Sequence, residues 1–331
     1  MTSPLVQVDD LKMHFPVSGG GLFNRHPKQV KAVDGVGFTI EKGETFGLVG
    51  ESGCGKTTIG RCLLKLEKPT GGSVRFGGVD VFSQSPEETA DYRKRVQAVF
   101  QDPYSSLNPR MTVEQIVGEP FLIHKVCPAR EISGRVRALL STCGLSGRLL
   151  DRYPHEMSGG QRQRVGIARA LALKPDFIVC DEAVSALDVS IQAQIISLLE
   201  DLRAEFGLTY LFIAHDLSVV RHICHRVAVM YLGRIVEIGE SESLFADPKH
   251  PYTRALLDSV PSPDPVRERA RTFTPLEGEV PSPIDPPPGC AFHPRCPIAE
   301  AACTRAVPPL LPAGGERRVA CPIAVPAQNA A

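Results

Sequence analysis

Short apolar runs alternate with longer segments of helical spacing along the first 245 residues. The runs predict strands, because strands buried in a parallel sheet are continuously apolar, and the helical spacing predicts amphipathic helices. Strands are predicted at 36–40, 45–49, 177–180 and 209–214, and helices at 57–66 and 191–206. This alternation is typical of an α/β fold. Residues 111–150 carry mainly helical signals and predict a helical insertion.

Proline marks the main boundary in the chain. Sixteen of the 29 prolines lie in residues 261–331, and proline-dense sequence builds neither long helices nor central strands. We therefore predict a compact catalytic domain over 1–245, with a helical subdomain at about 102–170, and an extension over 246–331.

A glycine-rich loop follows the predicted strand at 45–49 and has the pattern G-x-x-x-x-G-K-[ST]. Glycines let backbone N–H groups converge on phosphate oxygens, and the helix that follows adds its positive end. Lys56 is expected to reach the β- and γ-phosphates of ATP, and the Thr57 hydroxyl to ligate Mg²⁺. The residues expected to bind nucleotide here are Gly50, Glu51, Ser52, Gly53, Cys54, Gly55, Lys56, Thr57 and Thr58.

Two carboxylates end the apolar run at 177–180. Asp181 is expected to hold Mg²⁺, directly or through water. Glu182 is placed to polarise the attacking water as a general base. An apolar run that ends in Asp-Glu is common by itself, and the phosphate loop upstream is what favours the catalytic interpretation.

The sequence MSGGQ, which includes Ser158, Gly159, Gly160 and Gln161, leads into the helical segment RQRVGIARALAL. A serine and glycine N–H groups at a helix N-terminus form a second anion site. With these residues the chain resembles the ATP-binding cassette (ABC) proteins, the ATPase subunits of ABC transporters. The resemblance implies a P-loop ABC ATPase fold with a parallel-sheet core, an antiparallel β subdomain and a helical subdomain. It also implies that this site contacts the γ-phosphate held by a second ATPase subunit.

Other family elements can be matched residue by residue. Gln101, in VFQDPYSSLNP, corresponds to the loop that senses Mg²⁺ and water and contacts the membrane subunit. The segment that ends at Asp188 corresponds to the loop that couples the two sites. His215 corresponds to the switch histidine at the γ-phosphate, and Phe15 to the aromatic residue that stacks on adenine.

The segments HPYTRALLDSVPSPDP and VSALDVSIQAQI resemble the oligopeptide/dipeptide importer branch, to which nickel-uptake ATPases are close. Ala183 stands where that branch usually has proline, but no catalytic group is lost. The resemblance implies a non-identical ATPase partner, two transmembrane permease subunits and an extracytoplasmic binding protein, with this chain at the cytoplasmic face of the inner membrane. The alternatives are a nickel importer and a soluble ABC ATPase. The latter usually carries two cassettes or a coiled-coil insertion.

Four of the ten cysteines crowd the last 42 residues: Cys290, Cys296, Cys303 and Cys321. In a reducing compartment such a cluster favours metal over disulfide. Four thiolates suit a [4Fe–4S] cluster or Zn²⁺, and the resemblance to peptide-importer ATPases favours the cluster. Free thiols and a regulatory role of the extension remain alternatives.

The net charge and the hydropathy of the chain bear on whether it binds nucleic acid or spans a membrane. The chain has 37 basic and 37 acidic residues. A nucleic-acid-binding protein usually has an excess of basic residues, so this balance does not favour a nucleic-acid partner. No apolar run reaches the ~18 residues of a membrane helix, and the N-terminus has no apolar signal core. We therefore expect a cytosolic chain that associates peripherally with the membrane.

Overall fold

The computed structural model describes residues 3–17, 28–259 and 278–325. Part of the segment HPYTRALLDSVPSPDP, which spans residues 250–265, lies outside the described residues. The strands are β1 Val6–Pro16, β2 Gln29–Ile40, β3 Thr45–Val49, β4 Gly71–Phe76, β5 Val79–Asp80, β6 Val96–Val99, β7 Phe177–Asp181, β8 Thr209–Ile213, β9 Arg226–Tyr231, β10 Arg234–Glu240, β11 Leu311–Pro312 and β12 Arg318–Val319.

The helices are α1 Lys56–Leu63, α2 Pro86–Arg95, α3 Pro103–Ser106, α4 Val113–Ile123, α5 Ala129–Thr142, α6 Gly159–Leu171, α7 Val189–Phe206, α8 Leu217–Ile223, α9 Ser241–Ala246 and α10 Pro251–Asp258. No helix in the described part of the chain has the length and apolar character to cross a membrane.

The central sheet has eight strands in the order β11-β12-β10-β9-β3-β8-β7-β6. Strands β9, β3, β8, β7 and β6 run parallel to one another, whereas β10 and β12 are antiparallel. Strands β3 and β8 are buried along their whole length, as expected for parallel strands covered on both faces. The predicted α/β fold is confirmed.

A second, four-stranded sheet packs beside this core in the order β2-β1-β4-β5, with antiparallel pairing. Strand β2 begins at Gln29, seven residues before the predicted strand. Much of its added length is only half-buried, so it lacks the continuous apolar run on which the prediction relied.

Helices α3 to α6 form a helical layer after β6. Helix α4 contacts α5 and α6, and α4 and α6 each begin with a capping box, in which a hydroxyl and a glutamine bond each other's backbone N–H groups. These helices bury Val117, Val136, Leu140 and Val165 in a core continuous with the central sheet.

The C-terminal part is packed onto the central sheet. Val319 of β12 pairs with Glu237 of β10, and Phe292 is buried in the main hydrophobic core. The aromatic rings of Tyr231, Tyr252 and Phe292 lie within 5.4 Å of one another, centroid to centroid. The extension therefore shares its core with the sheet, and the boundary near residue 245 stays a prediction.

Candidate active site

The phosphate loop connects β3 to α1, and two of its glycines are required by close backbone contacts. A Cβ atom on Gly50 would lie 2.1 Å from the Met230 carbonyl oxygen, and one on Gly55 would lie 2.0 Å from that of Ala32. Both residues also have positive φ angles, of 150° and 107°. The loop therefore holds its shape only with glycine at these positions.

Lys56 lies at the start of α1 with its side chain buried. Its Nζ donates to the backbone carbonyls of Gly50, at 2.8 Å, and Glu51, at 3.0 Å. The ammonium group is thus held inside the curve of the loop, where a phosphate-binding lysine is needed.

Thr57 and Asp181 come together from distant parts of the sequence. The Thr57 hydroxyl donates to the Asp181 carboxylate over 3.1 Å. Burial raises the pKa of Asp181 and the charge of Glu182 raises it further, while the hydrogen bond from Thr57 and the charge of Lys56 oppose these effects. A hydroxyl and a carboxylate at this distance are the donor set that fits Mg²⁺ in P-loop proteins, so these two residues would hold it.

Glu182 follows β7 in the left-handed region of backbone space, with φ of 50°. Its carboxylate lies 3.4 Å from Nδ1 of His215 and is 19% exposed. Its N–H donates to the Ile213 carbonyl at the end of β8. An unusual backbone conformation thus directs the Glu182 carboxylate towards His215. This arrangement suits a general base and a histidine that acts with it.

Sheet topology explains why these groups meet. Strands β3, β8, β7 and β6 are neighbours and parallel, so their carboxyl ends lie along one edge. The phosphate loop, His215, Glu182 and Gln101 each follow one of these strands. Ligands of open α/β sheets bind at this edge. Gln101 is exposed there.

Phe15 lies near the end of β1 in the antiparallel sheet, opposite Val30. It is half-buried and packs against a second hydrophobic core, which includes Leu11, Val33 and Phe46. Its stacking on adenine stays a prediction.

The signature residues lie at the start of α6, in the helical layer. Ser158 is the N-cap residue of α6. Its hydroxyl accepts a hydrogen bond from the Gln161 backbone N–H, and the Gln161 side-chain oxygen accepts one from the Ser158 backbone N–H. A Cβ on Gly160 would lie 2.6 Å from Ile191 at the start of α7. The exposed Asp188 is the N-cap residue of α7. The predicted second anion site therefore packs beside the loop that ends at Asp188.

Two arginines of α6, which the sequence analysis missed, hold the segment after Gln101. The guanidinium carbon of Arg162 lies 3.6 Å from the centroid of the Tyr104 ring, and Arg169 donates to the Ser106 carbonyl over 2.7 Å. Arg162 is buried although it carries a charge. The signature helix and the segment that follows Gln101 are thus directly connected.

All four C-terminal cysteines line one cavity of about 200 Å³. Burial raises the pKa of Cys290 and of Cys296, and neighbouring cysteines of the group add to both shifts. Within residues 3–17, 28–259 and 278–325, however, no group of three or more His, Cys, Asp or Glu residues is placed to hold a metal ion. This geometry supports neither the zinc nor the iron–sulfur alternative for the four cysteines.

Comparison with known proteins places this geometry in a family. The family model described as "ABC transporter" matches residues 33–185, and the model described as "Oligopeptide/dipeptide transporter, C-terminal region" matches residues 236–303. The probable peptide ABC transporter ATP-binding protein y4tS of Sinorhizobium fredii is 54% identical over 100% of this chain and 93% of its own length. This chain belongs to the ABC transporter ATP-binding proteins.

Two further relatives agree over nearly the whole chain. The oligopeptide transport ATP-binding protein AppF of Bacillus subtilis is 52% identical over 96% of each chain. Its counterpart OppF of Escherichia coli is 51% identical over 92% of each chain. As a member of this family, the chain is an ATPase subunit, and ATP with Mg²⁺ is the substrate expected at the edge of the sheet.

Solved structures show the same cassette. A dimer of the ATP-binding cassette MJ0796 bound to ADP and Pi matches with a TM-score of 0.63 and 28% identity, over 71% of this chain and 98% of that chain. The cbiO1 protein of Clostridium perfringens matches with a TM-score of 0.64 and 28% identity, over 74% of this chain and 92% of that chain. These matches confirm the P-loop ABC ATPase fold.

Proposed function

We propose that this chain is the ATP-hydrolysing subunit of an importer of di- or oligopeptides. The observation that carries the proposal is the extent of the similarity: relatives named for peptide transport are more than 50% identical along almost the whole chain. The C-terminal region model for oligopeptide and dipeptide transporters also matches. None of these three relatives is named for nickel transport.

In this proposal each side chain has a defined task. Lys56 binds the β- and γ-phosphates, and Thr57 with Asp181 would hold Mg²⁺, which would supply positive charge beside the phosphates. Glu182 accepts a proton from the attacking water, while His215 and Gln101 orient the groups around the γ-phosphate. Ser158 and the backbone N–H groups of the glycines after it bind the γ-phosphate held by a second subunit.

We propose a head-to-tail pair of ATPase subunits that closes over two nucleotides. The exposure of Asp188 and of Val189, which is 81% exposed, supports a partner at this face. The other partners follow from the proposed importer: a non-identical second ATPase, two transmembrane permeases and an extracytoplasmic binding protein. The chain would then sit at the cytoplasmic face of the inner membrane.

The test is to purify the tagged full-length chain from membranes with its partners and to reconstitute the assembly in vesicles. ATP-dependent uptake of a labelled tripeptide is expected, and a matched assembly carrying Glu182→Gln should show none. Uptake of nickel without uptake of peptide would support the nickel alternative. Recovery of the chain alone, with full ATPase activity and no membrane partner, would contradict an importer.

We also propose that the four cysteines bind a [4Fe–4S] cluster. Four cysteine thiolates are the usual ligand set of such a cluster. The support is that Cys290, Cys296, Cys303 and Cys321 line the same cavity. A bound cluster would crosslink four points of this proline-rich segment, and it would stabilise a segment that has little apolar core of its own.

Anaerobic purification checks this assignment. The full-length protein is expected to be brown and to contain about four iron atoms per chain. Replacement of Cys296 by Ser should remove most of the iron and colour. The matched control, Cys127→Ser, changes a cysteine outside the cavity and should retain them. A colourless, iron-free anaerobic preparation of the unaltered protein would refute the cluster.

A further inference from the structure

A direct contact joins the C-terminal extension to the phosphate loop. Arg295 places Nη1 at 3.1 Å from Oε2 and 3.3 Å from Oε1 of Glu51, and Nη2 at 3.4 Å from Oε1. The two residues are 244 positions apart in the sequence. The Arg295 side chain is only 7% exposed and that of Glu51 is 27% exposed. This ion pair is therefore largely shielded from solvent and only weakly screened by salt.

The charge of Glu51 is unfavourable for the task of the loop. Glu51 is the only acidic residue in Gly50–Thr57, and a loop that binds a polyphosphate gains nothing from a carboxylate. Because like charges repel most strongly where water is excluded, an unpaired Glu51 would oppose nucleotide binding. Arg295 supplies the neutralising charge.

The backbone of Glu51 is fixed by the same region. Its N–H donates to the Tyr252 hydroxyl over 2.9 Å, and its carbonyl accepts from Lys56. Tyr252 is fully buried and packs against Tyr231 and Phe292. Thus the residue whose carbonyl holds the phosphate-binding lysine is itself held by the extension, through Tyr252 of α10 and through Arg295.

The cap of α10 keeps Tyr252 in place. Burial lowers the pKa of His250 to about 3, so its ring is neutral at neutral pH. The Nδ1 atom of His250 then accepts from the Tyr252 N–H over 3.1 Å. The support behind the phosphate loop is thus a buried, hydrogen-bonded layer.

We propose that Arg295 is a positioning residue for ATP binding: it neutralises Glu51 and, together with Tyr252, fixes the first turn of the phosphate loop. The extension is accordingly part of the nucleotide site, although Arg295 itself holds no phosphate. The inference uses only the ATPase activity and stands whichever solute the importer carries.

The test is calorimetric titration of the full-length protein with Mg·ADP. Arg295→Gln is expected to weaken binding about tenfold, which corresponds to about 1.4 kcal/mol. In the double variant Glu51→Gln, Arg295→Gln, the affinity should return to within about twofold of the unaltered protein, because the unpaired carboxylate is gone. The matched control is Arg305→Gln, which removes an exposed cation from the same segment and should leave the affinity unchanged.

Steady-state hydrolysis gives a second readout. The KM for ATP should rise in Arg295→Gln while kcat changes less than about twofold, since the catalytic groups at the end of β7 are untouched. If the Gln variant does not fold, Arg295→Lys keeps the charge and should bind Mg·ADP within about threefold of the unaltered protein.

Three results would overturn the proposal. The first is an unchanged affinity in Arg295→Gln. The second is a deficit that persists in the double variant, which would indicate general loosening of the extension. The third is a folded Arg295→Lys protein that binds tenfold more weakly, which would show that the charge of residue 295 is not what matters.

Discussion

Replacing Glu182 by Gln is expected to slow ATP hydrolysis by about 10²–10⁴-fold, the range that general acid–base catalysis contributes. Gln has nearly the same shape and can occupy the same left-handed backbone position, so the loop at the end of β7 should keep its structure. What it cannot do is accept a proton from water. Nucleotide binding, which depends on Lys56 and Thr57, should remain.

The measurement is single-turnover hydrolysis together with the oligomeric state in Mg·ATP. Mixed with the second ATPase subunit, the variant should accumulate as an ATP-bound dimer, because closure over two nucleotides precedes hydrolysis in the proposed cycle. Glu200→Gln is the matched control: Glu200 lies on α7, away from the phosphate loop, and its carboxylate lies 3.7 Å from Nε2 of the exposed His222. Hydrolysis at the normal rate in Glu182→Gln would refute the assignment of the base.

The second large effect is on stability. Arg317→Met is expected to lower the free energy of unfolding by about 3–5 kcal/mol, the range for breaking one partner of a buried ion pair. Arg317 donates to the Glu237 carboxylate from Nε, at 2.9 Å, and from Nη2. Glu237 has no exposure to solvent, so the substitution would leave a buried charge without its partner.

Urea unfolding of the full-length protein measures this loss. The Glu237 carboxylate also accepts the backbone N–H groups of Lys249 and His250, so the turn before α10 should loosen as well and become more sensitive to protease. Arg318→Met is the matched control, because Arg318 directly follows Arg317, begins β12 and is exposed. It should change stability by less than about 0.5 kcal/mol. Equal losses in both variants would argue against the buried pair as the cause.

Most of the nucleotide-binding site at the edge of the sheet could be predicted, because each of its motifs lies within a short stretch of sequence. The phosphate loop needs glycine where an added Cβ atom would lie about 2 Å from a backbone oxygen. It also needs a strand before it and a helix after it. The apolar runs that became β3, β7 and β8 have boundaries within a residue of those predicted. Once these strands are parallel neighbours, the groups that follow them share one edge of the sheet.

The contacts behind the loop could not be predicted in the same way. Arg295 and Glu51 look like ordinary surface charges in a sequence with balanced charge, and no spacing rule connects residues 244 positions apart. Tyr252 lies in a segment that resembles the peptide-importer branch, but nothing in that resemblance indicates its bond to the Glu51 N–H. The proline-rich composition of the extension also concealed that β12 joins the central sheet.

The sequence by itself determined the fold class and the nucleotide-binding motifs, since both depend on residue patterns within short stretches of chain. Only the tertiary structure decided how the extension supports the phosphate loop and which charges are paired. Burial converts Arg295, Glu237 and Arg317 from solvated charges into specific contacts, and burial is a property of the packed chain. The loop predicted from eight consecutive residues is therefore held in place by residues from the opposite end of the molecule's sequence.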